Sequence, residues 1–480
     1  MNSIDNVQRP LMFMGCTSDA GKSLVCALMC RYLANQGFTV APFKAQNMSN
    51  NAAVTPEGGE IGRAQYLQAI AAKQPACADM NPVLLKPHSE KGAQVVVNGK
   101  VSHELHAKDW HQRKAVLWPA VTQSLAQLKK RFPLLVIEGA GSPAEVNLRK
   151  SDIVNMEVAL HTDASVYLIA DIDRGGAYAH LLGTWMCLSQ AEQAKVKGFV
   201  LNKFRGEQAL LEEANIWLEQ KTGIPIVAVI PWTAHQLPEE DNFFHRSSWQ
   251  AQRINIALIV YPYASNLDEF DPLIYQAGVN VVPLREAQDL TQFDAIILPG
   301  TKHVEASRRF LAETGLESSI VAAAKDGVRI TGICGGLQIL GMRNEDPEGI
   351  EGHSFAGLGL LALATEYGRE KLTQQRLLSW RGELLRCYEI HHGQTRCLEP
   401  IDSFVEEGLG WQQANIQACY LHDLFTNQSF CQDWLEGLGW QGQCQDWHQQ
   451  TNDELDRVSR LLALPLQQIA EHARLRPAPL

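Results

Sequence analysis

A glycine-rich loop between an apolar strand and a helix is the feature that most constrains how this chain can fold. The apolar run Leu11–Met14 leads into Gly15-Cys16-Thr17-Ser18-Asp19-Ala20-Gly21-Lys22-Ser23, and a helical pattern then continues through Tyr32. Successive backbone N–H groups at a helix N-terminus form a cradle for phosphate. Lys22 would place a positive charge at the terminal phosphates, and the Ser23 hydroxyl would bind Mg²⁺. The predicted ATP-binding residues are Gly15, Thr17, Gly21, Lys22 and Ser23.

Apolar segments alternate with helical patterns along most of the chain, which indicates mainly parallel sheets covered on both faces. A polar stretch without periodicity, residues 233–252, interrupts this alternation and predicts a linker. We therefore expect an α/β fold of two domains, residues 1–232 and 253–440, followed by a helical tail at 441–480 that packs on the second domain. The predicted strands are Leu11–Gly15, Phe38–Phe43, Leu134–Gly139, Ser165–Asp171, Val196–Asn202, Ile224–Pro231, Ile254–Tyr261, Val279–Leu284, Phe293–Pro299 and Val328–Ile333.

Composition excludes several classes of protein. The formal net charge of −11 argues against non-specific nucleic-acid binding, which needs a basic face. No apolar run approaches the roughly 18 residues that suggest a membrane span, and the polar segment Met1–Pro10 is unlike a signal peptide. The 11 cysteines include no Cys-x-x-Cys pair, which favours a reducing compartment. We expect a cytoplasmic protein without nucleic-acid or membrane partners.

Carboxylates at strand ends are candidates for a Mg²⁺ site opposite the phosphate loop. Glu138 ends an apolar strand, and Asp171 and Asp173 follow another. Ligands bind at the carboxyl edge of open α/β sheets, and Mg²⁺ prefers oxygen ligands. The predicted metal ligands are therefore Ser23, Glu138 and Asp171.

A second constellation surrounds Cys334, in a strand, sharp turn and helix that read Gly-x-Cys-x-Gly. This pattern is typical of a nucleophile elbow, which exposes the side chain at a helix N-terminus and favours a thiolate. A thiolate can attack the carboxamide of glutamine, giving a γ-glutamyl thioester and ammonia. We expect the oxyanion to be bound by backbone N–H groups of Gly335 and of the loop containing Gly300.

The thiol needs a general base, and His422 is the predicted one because it ends an apolar strand late in the chain. His391 and His392 follow another strand-like run and remain alternatives. Glutaminases with a Cys–His pair usually carry glutamate two residues after the histidine, where this chain has Leu424. We therefore expect a dyad with a weakly oriented base and slow stand-alone hydrolysis of glutamine.

The sequence resembles the cobyric acid synthase family over nearly its whole length. The phosphate loop is similar to the dethiobiotin-synthetase-like variant, with five residues between Gly15 and Gly21. The other segments that carry the resemblance are Pro42–Asn50, Glu60–Gln65, Met80–Pro87, Glu138–Glu145, Asp152–Met156, Asp171–Gly176, Asn202–Gly206, Leu298–Lys302 and the cysteine elbow. The resemblance implies a P-loop ligase domain and a flavodoxin-like class I glutamine amidotransferase domain.

The resemblance also implies a reaction. The family amidates the b, d, e and g carboxylates of adenosylcobyrinic acid a,c-diamide to give adenosylcobyric acid, with ATP, Mg²⁺ and L-glutamine or ammonia. A carboxylate is a poor electrophile, so ATP would first activate it as a carboxyl phosphate. The side chains expected to bind this substrate are Lys44, Gln46, Asn47, Arg63, Lys86, Asp152 and Arg174.

Three other functions compete with this interpretation. Cobyrinic acid a,c-diamide synthase shares the two-domain plan, although the segments Phe43–Asn50 and Glu60–Gln65 favour the first family. A non-enzymatic P-loop switch would have no use for a thiol nucleophile. A glutamine-sensing module would not need the intact Gly21-Lys22-Ser23. No function follows from the sequence for the Trp- and Gln-rich region 425–450.

Overall fold

The computed structural model describes residues 8–89, 92–102, 113–238, 250–251, 253–406 and 408–476. Residues 239–249 and 252 of the predicted linker lie outside this part of the chain. The strands are β1 (Leu11–Gly15), β2 (Val40–Phe43), β3 (Gln46–Met48), β4 (Ala52–Val54), β5 (Glu60–Gly62), β6 (Val83–Ser89), β7 (Gly92–Val97), β8 (Lys100–Val101), β9 (Leu134–Glu138), β10 (Ser165–Asp171), β11 (Val196–Phe204), β12 (Ile226–Pro231), β13 (Ile254–Ile259), β14 (Ala264–Ser265), β15 (Val279–Leu284), β16 (Ala295–Leu298), β17 (Gly300–Thr301), β18 (Arg329–Ile333), β19 (Arg343–Glu345), β20 (Phe355–Ala356), β21 (Leu363–Trp380), β22 (Glu383–Cys397), β23 (Asp402–Ser403), β24 (Gly410–Gln413) and β25 (Ile416–Cys419).

The helices alternate with these strands in both halves of the chain. They are α1 (Lys22–Asn35), α2 (Arg63–Ala71), α3 (Arg113–Arg131), α4 (Met156–Thr162), α5 (Ala177–Met186), α6 (Gln190–Gln193), α7 (Glu212–Thr222), α8 (Asp271–Ile274), α9 (Val304–Glu313), α10 (Leu316–Lys325), α11 (Gly335–Leu340), α12 (Gln428–Glu436), α13 (Trp447–Leu461) and α14 (Ala463–His472). None of the helices within the described ranges is long and apolar enough to cross a membrane.

The first unit is a parallel sheet in the order β12-β11-β10-β1-β9-β2, together with its covering helices. All five residues of β1 are buried, because the strand pairs with β10 on one side and β9 on the other. Parallel neighbours place their carboxyl ends on one edge. The phosphate loop, Glu138 and Asp171 therefore meet at that edge.

The second unit is a sheet in the order β15-β13-β16-β18-β25-β24-β23, parallel through β25 and antiparallel beyond it. The helix after β18 packs close to β16. A Cβ atom added at Gly336 would lie 2.0 Å from the Leu298 carbonyl oxygen, so only glycine fits there. The predicted fold class, α/β with two mainly parallel sheets covered by helices, is confirmed.

A long hairpin formed by β21 and β22 extends from the second unit to the first; the sequence indicated only the strand-like run before His391. The Gln375 side-chain amide donates a hydrogen bond to the Val54 carbonyl at 2.7 Å. The Lys371 ammonium forms an ion pair with Glu60. The hairpin therefore joins the two units through both polar and charged contacts.

The expectation that the C-terminal tail packs on the second domain is wrong. Leu455, Val458 and Leu462 share a core with Val25 and Leu28 on α1 of the first unit. The buried Arg31 guanidinium of α1 also donates a hydrogen bond to the Asn452 side chain at 2.6 Å. The apolar face of α13 thus covers a helix that the first unit would otherwise leave exposed to water.

Candidate active sites

The phosphate loop is held in place by side chains from β11, which is separated from β1 by β10 in the sheet. Gly21 has φ +86°, a left-handed conformation that suits glycine, and α1 begins at the next residue. The Asn202 amide donates a hydrogen bond to the Ala20 carbonyl at 2.9 Å. The Lys203 ammonium donates one to the Asp19 carbonyl at the same distance, 2.9 Å. These two side chains were absent from the predicted site, although their motif was noted.

Glu138 lies at the centre of a polar cluster next to the loop. The Ser23 hydroxyl donates to Glu138 Oε1 at 2.8 Å, and the Lys44 ammonium lies 2.8 Å from the same oxygen. The Gln68 amide donates to Oε2 at 2.6 Å. Burial alone would raise the pKa of Glu138, but Lys44 and the hydrogen bonds from Gln68 and Ser23 outweigh burial and lower that pKa. The carboxylate is therefore ionised and contacts the serine predicted to bind Mg²⁺.

Asp171 ends β10, on the other side of β1 from Glu138, and forms an ion pair with a lysine side chain. Its Oδ2 atom lies 2.9 Å from the Lys203 ammonium, and its Oδ1 atom accepts the Asp173 N–H at 3.0 Å. Within the described ranges, no cluster of three or more His, Cys, Asp or Glu side chains could hold a metal ion. A nucleotide-bound Mg²⁺ needs only one or two protein ligands, which the pair Ser23 and Glu138 can supply.

Cys334 sits at a strained turn between β18 and α11, as the elbow pattern predicts. Its backbone has φ +50° and ψ −103°, which is unusual for a residue other than glycine. The side chain is 7% exposed, and its sulfur lies 3.5 Å from the Ile390 carbonyl oxygen. The turn aims the thiol towards the end of the sheet where His422 lies.

His422 is hydrogen-bonded to Cys334 and held by Glu269 on its other side, with 3.0 Å between Nδ1 and Glu269 Oε1. Burial would lower the pKa of His422. The Glu269 carboxylate and the bond with Cys334 outweigh burial and raise that pKa to about 10. The imidazole is therefore protonated at neutral pH. Its positive charge stabilises a negative charge on the adjacent sulfur.

The predicted dyad with a weakly oriented base is wrong, because Glu269 completes a triad from another part of the chain. Glu269 lies in the helical turn Leu267–Phe270, which follows β14. Its second oxygen accepts the Asp423 N–H at 3.0 Å, which fixes the carboxylate at the end of the histidine segment. The acidic run Asp268-Glu269-Phe270-Asp271 at the carboxyl edge of the sheet was the sequence signal for this role.

The two alternative histidines have other partners. His391 binds the Gly393 carbonyl at 2.7 Å through Nδ1 and Glu389 at 3.0 Å through Nε2. His392 binds the Gly368 carbonyl, and burial together with Lys371 lowers its pKa to about 3. Both rings are therefore engaged with other groups, and the geometry makes His422 the acid–base partner of Cys334.

The two predicted oxyanion residues border the nucleophile and its base. A Cβ atom added at Gly300 would lie 2.8 Å from His422 Cε1. One added at Gly335 would lie 3.0 Å from the Thr301 backbone nitrogen. The loop at β17 and the start of α11 thus approach each other closely beside Cys334. Their backbone N–H groups stay the predicted oxyanion donors.

The residues predicted to bind the substrate differ in their surroundings. Six of them line a large cleft, namely Lys44, Gln46, Asn47, Arg63, Asp152 and Arg174. Lys86 differs from the prediction, because it does not line the cleft. Its buried ammonium group lies 3.0 Å from the Glu60 carboxylate, which is also buried. Asp152 accepts the N–H groups of Val154 and Asn155 at 2.8 and 2.9 Å, so it also shapes its own loop.

The cleft has a volume of about 2520 Å³ and is bordered by the phosphate loop, the second unit and the C-terminal tail. Lys22 and Glu138 line one end, while Asp268, Tyr388 and Asp423 bring it to the edge of the Cys334 site. Gln428, Gln432 and Trp447, from the Trp- and Gln-rich region and the tail, form part of the wall.

Comparisons with known proteins cover both units of the chain. Residues 11–242 match the family model described as "CobQ/CobB/MinD/ParA nucleotide binding domain". Residues 255–430 match the model described as "CobB/CobQ-like glutamine amidotransferase domain". A cobyric acid synthase of Deinococcus radiodurans is 48% identical over 443 residues, 88% of this chain and 92% of the relative. One of Variovorax paradoxus is 47% identical over 439 residues, 87% of this chain and 91% of the relative.

Proposed function

Because this chain belongs to the cobyric acid synthase family, we propose that it amidates the b, d, e and g carboxylates of adenosylcobyrinic acid a,c-diamide to give adenosylcobyric acid. It is a glutamine-dependent, ATP-driven amide ligase of cobalamin synthesis. In this proposal the ligase domain spans residues 1–232, the linker 233–252, the glutaminase domain 253–440 and the tail 441–480. The enzyme works in the cytoplasm, and its cysteines are unpaired thiols, as a reducing compartment requires.

The size of the cleft is the observation that supports the corrin substrate. Ligand sites usually enclose about 300–1,000 Å³. The cleft of about 2520 Å³ exceeds what a nucleotide alone requires. A tetrapyrrole substrate bound beside ATP fits such a volume, whereas a small carboxylic acid would leave most of it filled with water.

The Cys334 site supplies the nitrogen. The thiolate attacks the glutamine carboxamide carbon, and a C–S bond forms while the backbone N–H groups at Gly300 and Gly335 bind the oxyanion. The His422 imidazolium gives its proton to the amide nitrogen, the C–N bond breaks, and ammonia leaves. Water then hydrolyses the γ-glutamyl thioester to glutamate, with the neutral imidazole taking a proton from that water.

The phosphate-loop site activates the acceptor. A carboxylate oxygen attacks the γ-phosphorus of ATP, which gives a carboxyl phosphate and ADP, and ammonia then displaces phosphate to form the amide. Lys22 places its charge against the phosphates. Ser23 and Glu138 would hold Mg²⁺, which would neutralise phosphate charge when bound. The Oε1 atoms of Gln65 and Gln68 next to Glu138 are buried without hydrogen-bond partners in the described structure, and they could accept from metal-bound water.

Mass spectrometry of the product tests this proposal. Incubation of the purified enzyme with adenosylcobyrinic acid a,c-diamide, ATP, Mg²⁺ and glutamine should convert four carboxylates to amides. Conversion of cobyrinic acid only as far as the diamide would instead identify the rival synthase. Failure to amidate either corrin while ATP and glutamine are consumed would show that the acceptor is a different carboxylic acid.

A further inference from the structure

Arg63 connects the two units through an ion-pair bridge. Its Nε atom lies 2.5 Å from Asp268 Oδ2, and its Nη1 atom lies 3.2 Å from Asp423 Oδ2. The three side chains are 13%, 7% and 14% exposed, so the bridge is largely shielded from water. Shielded charge pairs interact much more strongly than exposed ones, and loss of one partner is costly.

Both carboxylates are chain neighbours of the acid–base pair. Asp268 directly precedes Glu269, and Asp423 directly follows His422. The Asp423 backbone N–H also donates to Glu269 Oε2 at 3.0 Å. Arg63 therefore holds together, from the first unit, the two segments that must stay in register for Glu269 to bind His422.

The same arginine is the first residue of α2, whose other face reaches the nucleotide site. Gln68 on this helix donates to Glu138 at 2.6 Å, and Glu138 accepts the Ser23 hydroxyl at 2.8 Å. A nine-residue α-helix is a short rigid rod, so its two ends cannot move independently. One helix thus contacts the predicted metal ligand Glu138 through Gln68 and, through Arg63, the chain neighbours of Glu269 and His422.

We propose that Arg63 is a positioning residue for the glutamine-hydrolysing pair and that α2 links the pair to the nucleotide site. This inference goes beyond the proposed substrate, because it holds whichever carboxylate is amidated. Arg63 acts through Asp268 and Asp423 and does not touch glutamine.

Removal of the guanidinium should disturb the pair in two ways. The Oδ1 atoms of Asp268 and Asp423 are buried without hydrogen-bond partners in the described part of the chain, so loss of Arg63 leaves two poorly compensated carboxylates. Their charge adds to that of Glu269 near Cys334 and disfavours a further negative charge on the sulfur. The segments that carry Glu269 and His422 also lose their shared anchor.

The test is the variant Arg63→Ala, measured by alkylation of Cys334 with iodoacetamide and by amidation with each nitrogen source. Alkylation is followed at the Cys334 peptide by mass spectrometry across a pH series. We expect the pH of half-maximal alkylation to rise by about half a unit or more. The ratio of glutamine-dependent to ammonia-dependent kcat should fall on the order of tenfold, as misplacement of a catalytic pair produces.

Two further variants separate positioning from general damage. Arg63→Lys keeps the positive charge but cannot bridge both carboxylates, so it should restore the alkylation profile more fully than kcat with glutamine. Lys371→Met breaks the ion pair with Glu60 across the same boundary and should leave the alkylation profile in place. If Arg63→Ala fails to fold, the same contrast between Arg63→Lys and Lys371→Met decides the question.

The link through α2 has its own measurement, because Gln68→Ala cuts the contact with Glu138 and leaves Arg63 in place. A non-hydrolysable ATP analogue with Mg²⁺, at concentrations shown to saturate both proteins, should change the Cys334 alkylation rate at least about twofold in the parent and not in this variant. No response to nucleotide in the parent would overturn the link.

An unchanged alkylation profile in Arg63→Ala, or equal loss with both nitrogen sources, would overturn the positioning role. Equal loss would place Arg63 in the ligase site. Alkylation of Cys334 needs no corrin, so the alkylation profile tests the positioning role even if the proposed acceptor is wrong.

Discussion

At the scale of single residues, local motifs revealed the nucleophile and the phosphate loop because each carries its chemistry within a few positions. Glu269 could not be assigned in this way. It meets His422 across 153 positions of sequence, and the expected glutamate two residues after the histidine is Leu424, which is buried. The partner of a catalytic histidine is fixed by how strands are arranged, so a missing neighbour in sequence does not mean a missing partner in space.

Glu269→Gln should remove the charge that keeps His422 protonated. The pKa of His422 is raised to about 10, so the imidazolium is present below that pH and is lost as the pH rises through it. Without the carboxylate, burial lowers this pKa. We expect kcat with glutamine to fall by about 10²–10⁴, with the alkaline limb of its pH profile moved to lower pH.

Glu389→Gln is the matched control, because Glu389 holds His391 at 3.0 Å as Glu269 holds His422. It should leave the pH profile for glutamine use unchanged. If the two variants behave alike, His391 shares the role assigned to His422, and the triad described here is incomplete.

Glu138→Gln should raise the Mg²⁺ concentration needed for half-maximal amidation. The carboxylate is ionised and accepts the Ser23 hydroxyl, so the amide would offer the cation a weaker ligand. The measurement is the Mg²⁺ dependence of ammonia-driven amidation, which bypasses Cys334. An unchanged dependence in Glu138→Gln, with an increased requirement in Asp171→Asn, would assign the metal to Asp171.

At the scale of elements, the apolar runs predicted the strands that form the centres of both sheets. They failed for β21 and for most of β22, whose residues are largely polar and in large part not buried because the hairpin is not covered on both faces. They also could not say which unit the tail covers. Amphipathic helices show that a face will be buried, but the surface that buries it is decided by the tertiary fold.

Leu455→Ala should destabilise the first unit, because Leu455 is 0% exposed and packs in the core shared with α1. We expect a loss of about 2–5 kcal/mol in the free energy of unfolding, from lost burial and an unfilled cavity. Denaturant unfolding with and without nucleotide measures it.

Leu461→Ala is the control on the same helix, since Leu461 is 60% exposed. It should change the free energy of unfolding by no more than about 0.5 kcal/mol. Similar losses in both variants would mean that α13 does not pack as described.

At the scale of the whole molecule, two half-reactions are assigned to two sheets, and the units that contain them are joined by specific polar contacts. Asn266 illustrates this joint, because its backbone N–H donates to the Asn51 side chain at 2.7 Å and its side chain accepts the Ala52 N–H at 2.8 Å. The sequence predicted the two chemistries separately, since each motif is local. It could not predict that the glutaminase triad lies against the ligase unit, because that depends on how the two units dock.

Lys22→Ala and Cys334→Ser should separate the two half-reactions. Lys22→Ala should lose amidation with both glutamine and ammonia, because carboxylate activation precedes attack by nitrogen from any source. Cys334→Ser keeps the elbow but replaces a thiolate with a far weaker nucleophile. It should lose glutamine-dependent amidation by about 10³ or more while still using ammonium at a pH that frees NH₃.

The decisive measurement is product formation by each variant with glutamine and with ammonium chloride, alongside Cys334 alkylation in Lys22→Ala. Alkylation there should persist, because the triad residues Cys334, His422 and Glu269 remain intact. If Cys334→Ser is inactive with both nitrogen sources, the cysteine belongs to the ligase site or to the core. If Lys22→Ala retains ammonia-driven amidation, the phosphate loop does not activate the acceptor, and the assignment of one half-reaction to each sheet fails.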